Sequence, residues 1–342
     1  MSIIPPAAPK FRFDLRSDIL APPSAAVLHA VAEAAGRPGE FGWRVDPIEQ
    51  ALERRVCEML GKPAAALFPT CTAANIAGLV ALRADHRPLV MGKTCHLMTT
   101  EMAGLEWLTQ TRLLNFEAAY RSFDPAHLPD EPDAIFCLEN THNRQGGTVM
   151  SADDTARVAG RAKAAGWSVF LDGSRLWNAA VASGDTPAAL AGPVDLVSVS
   201  FNKGLGAPNG AALAGAENVI AAAVEGWRRL GGICRPSHVI AAGALASLDE
   251  MDRLVEDHVL ARETAATIAD VPGFAVLEPE TNILLVSGQD LGLDGAALAR
   301  ELGHVGLGCL AFGPGQVRLV FHRGIPAGSA PTIGETVRRI LS

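Results

Sequence analysis

The segment Ser198-Val199-Ser200-Phe201-Asn202-Lys203-Gly204-Leu205-Gly206-Ala207-Pro208 joins an apolar stretch to a turn of small residues that carries a single lysine. Together with Leu196 and Val197, its first residues form a short run bounded by turn signals, which predicts a buried strand. The glycines after Lys203 predict a tight turn. The segment therefore predicts a buried strand whose carboxyl end presents a lysine.

A second apolar run, residues 167–172, ends in Asp172 and is followed by Gly173-Ser174-Arg175. One strand thus ends in a carboxylate and the other in a lysine. This pairing suits pyridoxal phosphate, because a lysine forms a Schiff base with it and an aspartate keeps its ring nitrogen protonated, so that the ring accepts electrons. Either residue alone is also typical of an exposed charge at a strand end, but the pair predicts a cofactor site.

Strands and helices alternate along the first two thirds of the chain. Apolar runs predict strands at residues 65–69, 89–91, 134–138, 169–171 and 196–200, and helical spacing predicts helices at residues 47–60, about 75–82 and 152–165. This alternation is typical of an α/β fold with a mainly parallel sheet and helices on both faces.

Five polar residues come shortly after predicted strands: His96, Glu139, His142, Asp172 and Lys203. Ligands of parallel sheets bind at the carboxyl ends of the strands. We therefore expect these side chains to share one site.

The turn Thr70-Cys71-Thr72 leads from a predicted strand into a predicted helix. The first N–H groups of a helix are not used inside the helix and point at any anion bound there, so this turn is a candidate phosphate site. An ordinary N-cap formed by Thr70 or Thr72 explains the same residues.

Length and patterning predict an N-terminal arm at residues 1–22, a large domain at 23–240 and a smaller C-terminal α+β domain at 241–342. A long helix at residues 237–268 is expected to link the two domains. The smaller one has strand candidates at residues 274–276, 282–286 and 317–320 and a closing helix at 333–341.

The composition excludes several classes of protein. A net charge of -8 without a basic run disfavours nucleic-acid binding, and no apolar run is long enough to span a membrane. The six cysteines form no CxxC pair, so we expect no metal site and reduced thiols in a cytoplasmic protein. Hydrophobic residues make up 49% and charged residues 19%, which favours a large buried fraction and a subunit interface.

Several separated motifs together resemble one family. They are Asp14-Leu15-Arg16-Ser17-Asp18, Leu138-Glu139-Asn140-Thr141-His142-Asn143, Gly146-Gly147, Leu171-Asp172-Gly173-Ser174-Arg175, Lys203-Gly204-Leu205-Gly206-Ala207-Pro208 and Arg228-Arg229-Leu230-Gly231-Gly232. These motifs and their order along the chain resemble those of the L-threonine aldolases of the β-eliminating lyase group. The members of this group are pyridoxal phosphate enzymes of fold type I. The resemblance implies that fold and a homodimer or homotetramer.

The resemblance also implies roles at the cofactor. Lys203 would carry pyridoxal phosphate, Asp172 would pair with its ring nitrogen and His96 would lie over the ring. Cys71 and Thr72 would bind the phosphate, and Arg175 would also contact the cofactor.

The substrate would be held by further residues. Arg175 and Arg318, with Ser17 of the N-terminal arm, would bind the substrate carboxylate, to which a guanidinium offers a two-pronged grip. His142 would reach the substrate hydroxyl. His96 or His142 would serve as the base, directly or through water; as a residue type, each histidine is equally compatible with a structural role.

The implied reaction cleaves a β-hydroxy-α-amino acid to glycine and an aldehyde. Two alternatives remain: a β-eliminating lyase that releases an oxo acid and ammonia, and a non-catalytic relative, against which the retained Lys203, Asp172, Arg175 and Arg318 speak.

The chain departs from the family pattern at four places. The phosphate turn has Cys71, the residue before the lysine is Asn202, and the aspartate motif has Ser174. Trp43 and Arg44 stand where relatives have a tyrosine and acidic residues. We hypothesise that these two residues line the site and bias it toward substrates unlike threonine, either bulkier ones or acidic ones that the charge of Arg44 would favour; otherwise they form a surface loop at a partner subunit.

Overall fold

A computed structural model describes residues 10–116 and 131–341 of the chain. The chain forms two compact units. The larger spans Ala21–Val255, and the smaller joins residues 10–20 to the chain from Glu256 onward.

Strands and helices alternate through most of the described chain. The strands are β1 Phe13–Asp14, β2 Ala64–Phe68, β3 Leu89–Gly92, β4 Leu113–Phe116, β5 Ile135–Glu139, β6 Ser168–Gly173, β7 Leu196–Ser200, β8 Ala211–Gly215, β9 Ala275–Leu277, β10 Ile283–Ser287, β11 Leu307–Gly308, β12 Leu310–Ala311 and β13 Gln316–Val320. The α-helices are α1 Ala25–Ala35, α2 Pro47–Leu60, α3 Cys71–Ala81, α4 Met102–Thr109, α5 Ala152–Ala164, α6 Leu176–Ser183, α7 Pro187–Ala191, α8 Glu217–Arg229, α9 Ser237–Leu248, α10 Leu254–Ala269, α11 Gly295–His304 and α12 Ala330–Arg338.

Short turns of other helix types complete the list. One turn of π-helix, Leu97–Glu101, leads into α4. Single 3₁₀ turns lie at Asp18–Leu20, Asn143–Gln145, Met251–Arg253, Gln289–Leu291 and Arg339–Leu341. Nowhere in residues 10–116 and 131–341 is there a helix long and apolar enough to cross a membrane.

The larger unit is built on a seven-stranded sheet in the order β2-β8-β7-β6-β5-β3-β4. Neighbouring strands from β7 through β4 pair in parallel, whereas β8 is antiparallel to both of its neighbours. The predicted α/β class with a mainly parallel sheet is confirmed.

Apolar side chains of the central strands pack on both faces of this sheet. Along β5, Phe136 and Leu138 belong to one apolar cluster, and the alternate residues Ile135 and Cys137 belong to a second one. Successive side chains of a strand point to opposite faces. Each face of the sheet is therefore covered, as expected for parallel strands.

Local signals in the sequence set the ends of the helices. Asp46 caps α2 by accepting a hydrogen bond from the N–H of Ile48, Pro47 occupies the first turn, and Gly61 ends the helix in the left-handed conformation. The predicted span of this helix, residues 47–60, is the observed one.

The smaller unit has an antiparallel sheet in the order β12-β13-β10-β9 and a parallel pair, β1 and β11. Its core includes Phe13, Ile268, Leu284, Leu319 and Phe321. This antiparallel sheet, together with helices α10, α11 and α12, is the α+β architecture predicted for the C-terminal part of the chain.

The unit boundaries differ from the predicted domain limits of residues 22 and 240. Residues 10–20 are part of the smaller unit because β1 pairs with β11. The predicted single helix at 237–268 is two helices, α9 and α10, separated by the 3₁₀ turn Met251–Arg253. Because α9 packs on α1 and α2, the larger unit extends to Val255.

Candidate active site

Three adjacent parallel strands of the larger unit end at the same edge of the sheet. Glu139 of β5 lies beside Asp172 of β6, and Asp172 lies beside Ser198 of β7. The chain then continues from β7 to Lys203 in the following turn. The alignment of strand ends expected from the sequence is thus present for this group of residues.

Asp172 is a buried carboxylate, 1% exposed. Its Oδ1 accepts hydrogen bonds from the hydroxyl of Ser174 (2.6 Å) and the N–H of Ser174 (3.1 Å), and its Oδ2 from Asn75 Nδ2 (3.3 Å). Burial raises its pKa, and the negative charges of Glu101 and Glu139 raise it further. The charged form therefore needs a cation nearby.

Gly173 is required next to Asp172 for a steric reason. A Cβ at this position would lie 2.6 Å from the carbonyl oxygen of Ser198 on the neighbouring strand. The absence of a side chain lets β6 and β7 stay paired beyond Asp172.

The turn after β7 places Lys203 near this carboxylate. The N–H of Gly206 donates to the carbonyl of Lys203 (2.8 Å), and the N–H of Ala207 donates to that of Phe201 (3.0 Å), which folds the turn back on the strand end. Burial raises the pKa of both Asp172 and Cys71, and the positive charge of Lys203 offsets part of that rise at each of them. The lysine, the aspartate and the start of α3 therefore belong to one site.

Helix α3 begins at this site. Thr70 is its N-cap, with its hydroxyl accepting from the N–H of Ala73 and its carbonyl from that of Ala74. The N–H groups of Cys71 and Thr72 precede these in the first turn, where a helix attracts an anion. The cap and the anion site, which the sequence offered as alternatives, are therefore compatible.

Cys71 fills the space between the first turn of α3 and the sheet. Its Sγ lies 3.5 Å from the hydroxyl of Ser198 and 3.4 Å from that of Ser174. Burial raises the pKa of its thiol to about 12, so the side chain stays neutral at physiological pH.

The two predicted histidines have different surroundings. His96 Nε2 lies 3.4 Å from Glu101 Oε1, and this contact raises the pKa of His96. His142 is buried after β5, where its N–H donates to the carbonyl of Thr148 (2.9 Å), and burial lowers its pKa.

Glu139 holds the backbone of both histidine-bearing segments. Its Oε2 accepts from the N–H of His96 (2.7 Å), and its Oε1 accepts from the N–H of Asn143 (2.9 Å), directly after His142. The carboxylate predicted to join the site thus fixes where the two histidines stand.

Two residues of the site were missed by the sequence analysis, Asn75 and Glu101. Both are buried, and Asn75 is fully inaccessible. The signal that could have found them is a carboxylate and an amide in otherwise apolar segments near the predicted strand ends, because buried polar groups need partners.

The predicted carboxylate-binding residues fall in both units. Arg175 is buried at the start of α6 in the larger unit. In the smaller unit, Arg318 of β13 donates to the carbonyl of Arg16 (3.2 Å), and the hydroxyl of Ser17 lies 3.4 Å from the N–H of Ile19. That these residues together bind the carboxylate of one substrate stays a prediction.

Arg44 has a partner within its own chain. Its guanidinium donates to both carboxylate oxygens of Glu53 (2.9 and 2.8 Å) and to the carbonyl of Ala65 (2.7 Å). Trp43 lies against Arg228, with 5.9 Å between the guanidinium carbon and the ring centre. These contacts argue against a role of Arg44 as a cation that selects an acidic substrate.

The residues present fit pyridoxal phosphate. The cofactor needs N–H donors for its phosphate, a lysine for its aldehyde and an anion beside its ring nitrogen. The start of α3, Lys203 and Asp172 would supply these in that order, and a protonated ring nitrogen would provide the cation that buried Asp172 requires. Fold and site together define a pyridoxal phosphate enzyme of fold type I.

Comparison with known proteins identifies the family. Residues 14–290 match the model of the beta-eliminating lyases, and the chain belongs to this family. The chain is 31% identical over 332 residues to low-specificity L-threonine aldolase 1 of Arabidopsis thaliana, covering 91% of each chain.

Solved structures show the same fold at lower sequence identity. The threonine aldolase of Leishmania major superposes with a TM-score of 0.81 at 16% identity, covering 96% of this chain and all of that one. A lysine-to-alanine variant of serine palmitoyltransferase from S. paucimobilis, with a bound PLP–myriocin aldimine, superposes with a TM-score of 0.71 at 18% identity, covering 96% of this chain and 86% of that one. The predicted fold and cofactor are confirmed.

Proposed function

We propose that the protein is a pyridoxal phosphate-dependent carbon–carbon lyase that cleaves threonine-like β-hydroxy-α-amino acids to glycine and an aldehyde. The observation that carries the proposal is the pairing of buried Asp172 with Lys203 at adjacent strand ends. The relatives whose names contain threonine aldolase favour this reaction over others of the same fold.

The cofactor, when bound, withdraws electrons from the substrate Cα. Asp172 keeps the ring nitrogen protonated, because a buried anion stabilises the neighbouring positive charge. Lys203 holds the cofactor covalently, and the N–H groups of Cys71 and Thr72 hold its phosphate. Arg175, Arg318 and Ser17 bind the substrate carboxylate in this proposal.

Cleavage also requires a group that takes the proton of the substrate β-hydroxyl. A histidine accepts a proton only when it is neutral. The lowered pKa of His142 keeps that ring neutral near pH 7, whereas Glu101 favours the charged form of His96. We therefore assign His142 as the acceptor, directly or through water, and His96 as the residue at the cofactor ring.

Product analysis tests the reaction type. We expect purified protein incubated with pyridoxal phosphate and threonine, phenylserine or β-hydroxyaspartate to release glycine and the matching aldehyde in equal amounts. The alternative, a β-eliminating lyase, instead produces an oxo acid and ammonia. Glycine without aldehyde, or an oxo acid as the main product from all three substrates, would contradict the proposal.

We also infer that the active protein is a homodimer or homotetramer. Phe41 is 96% exposed and Trp107 is 79% exposed in the single chain, so a partner subunit that covered these side chains would bury apolar surface. Light scattering of the active protein is expected to give at least twice the mass of one chain. A monomer with full activity at the same concentration would overturn this inference.

We further infer a cytoplasmic location. All six cysteines are free thiols, as is usual in a reducing compartment.

A further inference from the structure

Glu101 is a buried carboxylate, 6% exposed, and three different side chains place a hydrogen-bond donor beside it. The hydroxyl of Thr72 donates to its Oε1 (2.7 Å), Asn75 Nδ2 donates to its Oε2 (3.0 Å), and His96 Nε2 lies 3.4 Å from Oε1. These donors come from the phosphate turn, the interior of α3 and the segment after β3. One carboxylate thus connects the parts of the site that surround a cofactor.

A bridge through Asn75 continues from Glu101 to Asp172. The same Nδ2 group of Asn75 donates to Glu101 Oε2 and to Asp172 Oδ2 (3.3 Å). The hydroxyl of Ser198 donates to Asn75 Oδ1 (2.6 Å), so the orientation of the amide is fixed. Two buried negative charges are therefore held apart by one amide group, which lowers the cost of keeping both at the site.

The backbone around Glu101 is unusual in a way that serves this contact. His96 and Glu101 are five residues apart, and in an α-helix with 3.6 residues per turn such residues point in directions about 140° apart. Here Leu97–Glu101 forms a π-helical turn, whose wider winding brings residues five apart onto nearly the same side. The π turn is thus the local feature that lets Glu101 face His96.

The charges favour an ion pair. Burial by itself raises the pKa of Glu101, but the hydrogen bonds from His96, Asn75 and Thr72 together bring it below its usual value. The contact with Glu101 is the largest cause of the raised pKa of His96, and Asp172 and Glu139 act in the same direction from β6 and β5. The ring of His96 is therefore held by a charged partner, Glu101.

We propose that Glu101 is a positioning residue that fixes the ring of His96 and, through Asn75, the carboxylate of Asp172 for the cofactor. This inference rests on the proposed use of pyridoxal phosphate, but not on which substrate bond is cleaved. Glu101 itself acts through these neighbours and reaches neither substrate nor cofactor in the proposal.

The test is Glu101→Gln, which keeps the size of the side chain but replaces one acceptor oxygen by an NH₂ group. Three donors then face a single oxygen. In protein without cofactor, labelled at histidine and assigned with His96→Asn, we expect the NMR titration of His96 to move to lower pH. The affinity for pyridoxal phosphate, measured by fluorescence quenching, is expected to fall about tenfold, the effect of one charge-assisted hydrogen bond.

Glu106→Gln is the matched control. It is the same chemical change in the helix α4 that directly follows Glu101, at an exposed side chain. We expect it to change neither the His96 titration nor the affinity for pyridoxal phosphate. An unchanged His96 titration in folded Glu101→Gln protein, or an equal change in the control, overturns the proposal.

The pH dependence of stability provides a second readout. The pKa of His96 is raised in the folded chain, so its contribution to stability is present below its unfolded pKa and is lost as the pH rises through the folded value. The stability lost in Glu101→Gln is therefore expected to be larger at about pH 6 than at roughly pH 9. A loss that does not depend on pH would contradict the ion pair.

Thr72→Val keeps the proposal testable if Glu101→Gln does not fold. It removes a single donor to Glu101 from an exposed position at the start of α3. Glu101 then accepts one bond fewer, and we expect the His96 contact to tighten and its titration to move to higher pH. A shift to lower pH, or none, would count against Glu101 as the residue that controls His96.

The product analysis with the three substrates can fail while this proposal holds, and the reverse, because neither the His96 titration nor the cofactor affinity involves substrate.

Discussion

Replacing Lys203 by alanine is expected to lower the rate of substrate cleavage by about 10⁴-fold, because the variant loses both its covalent link to the cofactor and an acid–base group at the site. Borohydride reduction of the wild-type protein, followed by peptide mass mapping, is expected to place the cofactor adduct on Lys203. The variant is expected to retain cofactor only without a covalent bond.

Lys163→Ala is the control for this change. Lys163 lies at the end of α5 and pairs with Asp195 (3.0 Å), both partly exposed. We expect this variant to keep its activity and its adduct on Lys203. An adduct on any other lysine of the wild-type protein would contradict the assignment of Lys203.

Replacing Asp172 by asparagine is expected to lower the rate by about 10²–10³-fold, the range seen when one preorganised electrostatic group is removed. The change preserves the shape of the side chain but removes the anion that keeps the ring nitrogen protonated. It also turns an NH₂ group toward Asn75 Nδ2, where an acceptor stood. We therefore expect weaker cofactor binding and a changed absorption spectrum of the bound cofactor.

Asp195→Asn is the matched variant for Asp172. It makes the same chemical change just before β7, where the Asp195 carboxylate accepts from the N–H of Val169 (2.8 Å). This position lies at the opposite end of the same pair of strands. If both variants lose activity equally while their cofactor spectra stay unchanged, the loss reflects the stability of the sheet and not the charge at the ring nitrogen.

The strands and most helices of the larger unit could be predicted because their signals are local. Apolar runs identified β2, β3, β5, β6 and β7 within one or two residues, and the capping residues Asp46 and Gly61 identified both ends of α2. Strand β8, an alanine- and glycine-rich segment, was missed. It is a strand because it pairs with β2 and β7 on either side, which no local pattern reports.

The motifs that carry the predicted site are contiguous in the sequence, and so they could be recognised without the structure. Lys203, His96 and His142 each follow a strand of one mainly parallel sheet, and Asp172 lies near the end of another of its strands. This topology alone predicts that they approach one another. The limits of the two compact units could not be predicted in the same way, since the pairing of β1 with β11 joins residues that are almost 300 positions apart.

The sequence by itself determined the fold class, the family and the cofactor, because these follow from element order and from short motifs. The tertiary structure decided which side chains surround those motifs. In the folded chain Arg44 pairs with Glu53, and the buried side chain of Asn75 donates to Asp172. The π turn brings Glu101 next to His96. The physical reason is that burial and long-range hydrogen bonds set the charge and orientation of a side chain, and both depend on residues that are distant along the chain.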